Sequence, residues 1–342
     1  DAGAEIILNL NASPFRQGKW QLREVEVKQR IIETGLPVVY VNQVGGQDEL
    51  VFDGCSFALS HTGEKVVRAP SWQQGLFPIA IEHDSNGKLI LSGDLANKDT
   101  ELAMIYQGLV TGLRDYVEKN RFPGVVIGLS GGIDSALTLA LAVDALGSER
   151  VSTVMMPSRY TAQMSLDDAK EMADILGVKH DVIAIDDLFE QFLATLSEQF
   201  SGTEVGTTEE NIQARVRGVI LMAISNKTGT MVLSTGNKSE MAVGYSTLYG
   251  DMAGGFSPLK DVYKTLVYQL SNYRNIISNT IPERIITRPP SAELADDQLD
   301  QDSLPPYDIL DSLLELYISE DECFEDIVAS GIDAEMVSRV IK

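Results

Sequence analysis

Gly128-Leu129-Ser130-Gly131-Gly132-Ile133-Asp134-Ser135-Ala136 is the stretch of this chain best equipped for chemistry. A β-branched apolar run over 125–127 ends in Ser-Gly-Gly, and Leu137, Leu141 and Ala145 follow at helical spacing. That order predicts a buried strand, a tight glycine turn and a helix start. Adjacent glycines let the backbone approach a ligand closely, and a helix N-terminus offers unpaired N–H groups and a positive dipole end. The chemistry favours an anion there, above all phosphate. Asp134 stands where a carboxylate could hold Mg²⁺ beside that phosphate, and Ser130 and Ser135 add hydroxyls. A plain turn with a favourable first-turn acid is the competing reading. Neither the Gly-Lys-Ser/Thr loop nor the Gly-x-Gly-x-x-Gly spacing is present.

A second polar strand end lies further on, Ser234-Thr235-Gly236-Asn237-Lys238-Ser239-Glu240. Thr235 could hydrogen-bond a nucleotide, and Glu240 could share Mg²⁺ or receive a ligand hydroxyl; a capped turn is the simpler alternative. Asn211 and Arg215 stand at i, i+4 on one helix face. They could grip a carboxylate or a phosphate, or form a solvated polar face. Residues 241–256, with Tyr245, Ser246, Tyr249 and Asp251, are glycine-rich and aperiodic, which reads as a binding loop. Lys264 and Arg288-Pro289-Pro290-Ser291-Ala292-Glu293-Leu294 follow.

The elements that must carry these groups alternate. Strands are expected near 124–129, 151–156, 181–186 and 230–235, with helices over 134–146, 165–176, 187–199 and 208–226. That pattern predicts a doubly wound α/β domain with ligands beyond the carboxyl ends of its strands. Ahead of it, residues 4–10 read as a buried strand, 16–35 as an amphipathic helix closed by Gly35 and Pro37, and 38–42 as a second strand. Asn86-Gly87 reads as a hairpin turn, and the polar stretch 94–104 leads into a helix over 101–119.

The chain has 342 residues, 44% hydrophobic and 23% charged, as expected of a globular protein with two domains. Lys+Arg of 27 against Asp+Glu of 50 gives −23, which argues against a general nucleic-acid or membrane-surface binder. Cys55 and Cys323 supply no disulfide framework and no metal spacing, and His61, His83 and His180 form no cluster in sequence. Cys55 reads as a small structural hydrophobe. No membrane span or signal pattern is visible, so the cytoplasm is the expected location.

Ser-Gly-Gly-Ile-Asp-Ser after a strand resembles the pyrophosphate loop of the N-type ATP pyrophosphatases. The whole set of motifs, including Glu210-Asn211-Ile212-Gln213-Ala214-Arg215, Tyr249-Gly250-Asp251 and residues 288–294, resembles the glutamine-dependent NAD synthetases. Residues 7–19 and 40–54 resemble the back half of a nitrilase-type amidase domain. The resemblance implies a partial nitrilase-type α/β sandwich over 1–95 and an ATP pyrophosphatase synthetase domain of the adenine nucleotide alpha-hydrolase-like kind over 96–342. It implies that deamido-NAD is amidated through an adenylate, releasing AMP and pyrophosphate, with ammonia or glutamine as nitrogen source. Leu129, Ser130, Gly131, Gly132, Ile133, Asp134, Ser135, Ala136, Thr235, Lys264 and Ser291 would contact ATP. Asn211, Arg215, Glu240, Tyr245, Ser246, Tyr249 and Asp251 would contact deamido-NAD. Asp134 and Glu240 would hold Mg²⁺, and Asp134, Ser135 and Lys264 would be catalytic. A homo-oligomer is implied, its synthetase domains pairing through helices 101–119 and 208–226.

The resemblance departs at both ends. The amidase Glu, Lys and Cys map onto no residue here, so the chain reads as beginning inside that domain. The basic Lys-Arg segment that usually closes over the substrate does not appear after Arg339-Val340-Ile341-Lys342. Another ATP pyrophosphatase amide ligase, or a nucleotide-binding chain with incomplete chemistry, is the alternative.

Overall fold

A computed structural model describes residues 3–295 and 298–341. The chain divides into two compact units, Asp1–Asn120 and Arg121–Lys342.

Unit 1 runs β1 (Ile7–Asn11), α1 (Lys19–Thr34), β2 (Val38–Asn42), β3 (Val44–Gln47), β4 (Leu50–Asp53), β5 (Phe57–Leu59), β6 (Lys65–Arg68), β7 (Ala80–His83), β8 (Leu89–Ser92) and α2 (Glu101–Lys119). Its main sheet has the order β1-β2-β5-β6, parallel between β1 and β2 and antiparallel beyond. Val27 and Ile31 of α1 pack on Val38, Tyr40 and Phe57 to form one core. Residues 4–10 do not form the fully buried strand expected. β1 is an edge strand, and Leu8 and Leu10 are exposed while Ile7 alone joins the α1 core. Asn86-Gly87 does turn a hairpin, with Ile81 opposite Leu91. Helix α2 starts where expected, with Thr100 Oγ1 accepting from the Ala103 N–H. It packs on the β3–β4 hairpin, and Asp115 accepts from the Gly46 N–H at 2.8 Å.

Unit 2 runs β9 (Val125–Gly128), α3 (Ile133–Leu146), β10 (Val151–Met155), α4 (Gln163–Leu176), β11 (Lys179–Val182), α5 (Asp186–Leu196), α6 (Thr207–Thr228), β12 (Met231–Leu233), α7 (Lys238–Ala242), α8 (Lys264–Ile277), α9 (Glu283–Thr287), α10 (Tyr307–Leu314), α11 (Phe324–Ala329) and α12 (Ala334–Ile341). The sheet order is β11-β10-β9-β12, every pair parallel. Parallel pairing puts all four strand ends on one edge, as the alternating pattern predicts. The inner strands β9 and β10 and the short β12 are largely buried, and Val126, Val154 and Val232 meet Ile185, Phe189, Val216 and Leu221 in one core. The edge strand β11, by contrast, is polar (Lys179, His180 and Asp181) and half-exposed. The third strand sits earlier than the expected 181–186. Beyond Val182 the chain leaves the ladder, and Asp186 and Asp187 open α5 in its first turn, where acids suit the helix dipole. No described helix is long and apolar enough to cross a membrane.

A cavity at the strand ends of unit 2

β9 ends at Gly128 and the chain turns over Ser130-Gly131-Gly132 into α3. The turn is held from inside. Ser135 Oγ accepts from the Ser130 N–H at 3.2 Å and donates to the Gly132 carbonyl at 2.9 Å, and Ser130 Oγ accepts from the Gly132 N–H at 3.2 Å. Asp134 lies in the first turn of α3. Helix α8 packs beside α3, and Arg274 forks Asp144 at 2.7 and 3.0 Å. Ten residues back on both helices, Lys264 Nζ meets Asp134 Oδ2 at 2.5 Å. Two ion pairs in the same spacing hold the helices side by side in one direction.

Glu240 completes the cluster, its Oε1 3.0 Å from Lys264 Nζ. Asn237 places it: the amide oxygen caps α7 by accepting from the Glu240 N–H at 3.0 Å, and its Nδ2 donates to Asp134 Oδ1 at 2.9 Å. The Lys264 backbone is pinned from behind, where its N–H donates to Ser239 Oγ at 2.8 Å and Ser239 in turn donates to Asp311. Two carboxylates therefore share one buried ammonium. Burial works against the charge of Lys264, but the fields of Asp134 and Glu240 outweigh it and raise its pKa, so it stays protonated. Burial and the Asp134 charge push the Glu240 carboxyl up to about 7, against the pull of Lys264.

These groups line a cavity of ≈ 300 Å³. Its lining includes polar groups, among them Ser130, Asp134, Glu240 and Lys264, and apolar ones, Val154, Met155, Met156, Leu221 and Leu233. That mixture suits a ligand with an apolar part and an anionic part. Asp134 and Glu240 offer hard oxygen donors converging on one cation, which fits Mg²⁺. Among the described residues no set of three or more His, Cys, Asp and Glu forms a metal site, so such an ion would complete its shell from a ligand's oxygens.

Of the other predicted residues, Leu129, Gly132, Ile133, Ser135, Thr235, Ser291, Tyr245, Ser246 and Asp251 line the same cavity. Gly131, Ala136, Asn211, Arg215 and Tyr249 are outside its lining. Ala136 is in the core, and Gly131 lies under the turn against Ser165. Asn211 accepts from Thr247 Oγ1 at 2.7 Å and Arg215 Nε donates to the Leu248 carbonyl at 3.2 Å, so both brace the 245–251 loop. Asp251 braces it too, accepting from the Thr247 N–H at 2.8 Å.

Sequence reasoning missed Arg217, Asp300 and the part played by Arg288, all in the cavity lining. Arg217 Nε donates to the Met156 carbonyl at 3.0 Å, and burial lowers its pKa to about 10. Ala214, Arg217, Gly218 and Leu221 form the helix face that meets the cavity, not Asn211 and Arg215. The small residues were the available signal: a Cβ on Gly218 would lie 3.0 Å from the Gly250 and Tyr249 carbonyls. Asp300, which accepts from Tyr307 Oη at 2.8 Å, opens a single 3-10 turn (Asp300–Asp302) in a polar stretch with no periodic pattern. In unit 1, burial and the charge of Asp53 push the Cys55 thiol up, which suits a structural role.

Comparison with known proteins bears on both units. The chain matches the NAD synthase family over residues 105–342 and the carbon-nitrogen hydrolase family over residues 1–87. The glutamine-dependent NAD(+) synthetase of Acinetobacter baylyi is 53% identical over 340 residues, 99% of this chain and 62% of that protein. The structure of glutamine-dependent NAD+ synthetase from Acinetobacter baumannii in complex with ADP is 50% identical with a TM-score of 0.79, covering 98% of this chain and 61% of that one. The NMN synthetase structure from Francisella tularensis, 30% identical with a TM-score of 0.61, covers 71% of this chain and 92% of that one. The chain thus spans about three fifths of the length of its curated relatives.

Proposed function

The chain belongs to the NAD synthase family, and on that premise we propose that it amidates deamido-NAD to NAD with ATP, taking nitrogen from ammonia or glutamine. The observation that carries this is the meeting of Asp134, Glu240 and Lys264 beside the glycine turn on one cavity. A nicotinate carboxylate is a poor acceptor for ammonia. It attacks the α phosphorus of ATP, forming an acyl adenylate as pyrophosphate leaves; ammonia then displaces AMP and loses a proton to give the amide. Catalysis of this kind is positioning and cancellation of phosphate charge.

The turn over 130–135 and the α3 N-terminus would receive the phosphates, and the Lys264 ammonium would face the charge that builds on the α phosphoryl group. Asp134 and Glu240 would hold Mg²⁺, which supplies charge neutralisation on the phosphates. Thr235 and Ser291 would meet ATP. Tyr245, Ser246, Tyr249 and Asp251 would meet deamido-NAD on a loop braced by Asn211 and Arg215. We read residues 1–95 as the amidase part and 96–342 as the synthetase part, which the two family matches support. We place the protein in the cytoplasm as a homo-oligomer, and the exposed Val219 and Met222 of α6 support contact between copies.

Incubation with ATP, Mg²⁺, deamido-NAD and ammonium is expected to yield NAD, AMP and pyrophosphate in equal amounts, and none of them without deamido-NAD. ATP binding without turnover would favour the nucleotide-binding alternative.

A further inference from the structure

We propose that Arg288 is a positioning residue that sets the phosphate-binding turn by fixing the peptide between Gly131 and Gly132. The inference rests on reading the cavity as the ATP site. Arg288 Nη2 donates to the Gly131 carbonyl at 3.0 Å, and Nη1 donates to Ser165 Oγ at 2.7 Å. Ser165 passes the bond on to Glu293 Oε1 at 2.5 Å, and Glu293 stands 3.5 Å from Arg288 Nη1. One guanidinium thus ties together the glycine turn, the start of α4 and the 288–293 segment.

The consequence for the turn follows from the planarity of a trans peptide, in which the C=O and the next N–H point opposite ways. With the Gly131 carbonyl held by Arg288, the Gly132 N–H is directed the opposite way, where Ser130 Oγ of the same turn receives it at 3.2 Å; both Gly132 and Ser130 line the cavity. Gly131 has φ +78°, and a Cβ there would lie 2.4 Å from the Ser165 carbonyl. A peptide flanked by two glycines has many alternatives, and it needs an external clamp to keep one of them. Arg288 is suited to that task because its planar fork spans two acceptors, which a lysine ammonium cannot do in the same geometry. α9 does not depend on this clamp: Arg284 separately forks Asp168 of α4 at 2.5 to 3.0 Å. A change at Arg288 therefore leaves the segment docked.

The test is calorimetric binding of ADP and of adenosine to wild type, Arg288→Lys and Ser165→Ala. Arg288→Lys keeps the charge and loses the fork, so ADP affinity is expected to fall about 10-fold or more while adenosine affinity is unchanged. Ser165→Ala leaves the bond to Gly131 in place and is expected to change ADP affinity by less than about 3-fold. Wild-type ADP affinity in Arg288→Lys would overturn the proposal, since the charge alone would then suffice. Equal loss of ADP and adenosine would also overturn it, as a general structural effect. Failure of the wild type to bind ADP would overturn the ATP reading itself, and this inference with it.

Discussion

Each unit buries a cation against carboxylate, and the two arrangements differ in what is left over. In unit 1, Arg23 Nη1 reaches both oxygens of Asp53 at 2.8 and 2.9 Å, Nη2 donates to the Ser13 and Pro14 carbonyls, and Nε donates to Ser13 Oγ. The charges match one to one, Asp53 is fully buried, and every donor has an acceptor. In unit 2, one ammonium serves two carboxylates, and burial together with the second negative charge, that of Asp134, pushes the Glu240 carboxyl up to about 7. A satisfied pair holds a fold together; an unbalanced one beside a cavity is built to take something in.

Asp134→Asn should separate the two most widely. It removes a metal-binding charge and a partner of Lys264, and kcat/KM for amidation is expected to fall about 10³- to 10⁴-fold, or about 4 to 5.5 kcal/mol of barrier. Melting should change little, because Glu240 still pairs with Lys264. Arg23→Ala should do the reverse. It strands a buried Asp53 and is expected to cost about 3 kcal/mol of stability or somewhat more in denaturant unfolding, with ammonium-dependent activity of the folded protein unchanged.

Glu240→Gln sharpens the contrast through pH. The folded pKa of Glu240, about 7, lies above the ordinary 4.5, so the fold binds this proton more tightly than the unfolded chain does. Wild-type stability should therefore fall as pH rises from about 4.5 to about 7, and thermal melts of Glu240→Gln should lose that part of the slope. The smallest expected effect is Cys55→Ser, within about 1 kcal/mol in stability and without effect on amidation from ammonium. A loss of that activity would give unit 1 a part in the chemistry.

The turn at 130–135 was legible because its signals are local: a strand, two glycines and a helix start in consecutive residues. The inner strands of unit 2 were legible for the same reason, since β9, β10 and β12 are led by apolar residues and end in polar ones; the polar edge strand β11 carries no such signal, and its bounds were misjudged. Asp134 and Glu240 were legible as two strand-end carboxylates that could share a cation, but the place of Lys264 between them came only through the resemblance, because the three are brought together by the pairing of α3 with α8 and the cap at Asn237. Asn211 and Arg215 show the limit of reading a helix face from spacing. Their common face is real, yet it turns to the 245–251 loop, and the face one step round, with Arg217 and Gly218, meets the cavity. β1 was misread because its apolar residues look the same whether a sheet edge is covered or exposed.

The most direct test of the account follows oxygen. Deamido-NAD labelled with ¹⁸O in its nicotinate carboxylate should deliver one labelled oxygen to the phosphate of the AMP formed with ammonium, read by mass spectrometry. That result would show the carboxylate attacking the α phosphorus. Unlabelled AMP, or ADP and phosphate in its place, would contradict the role assigned to Asp134, Glu240 and Lys264.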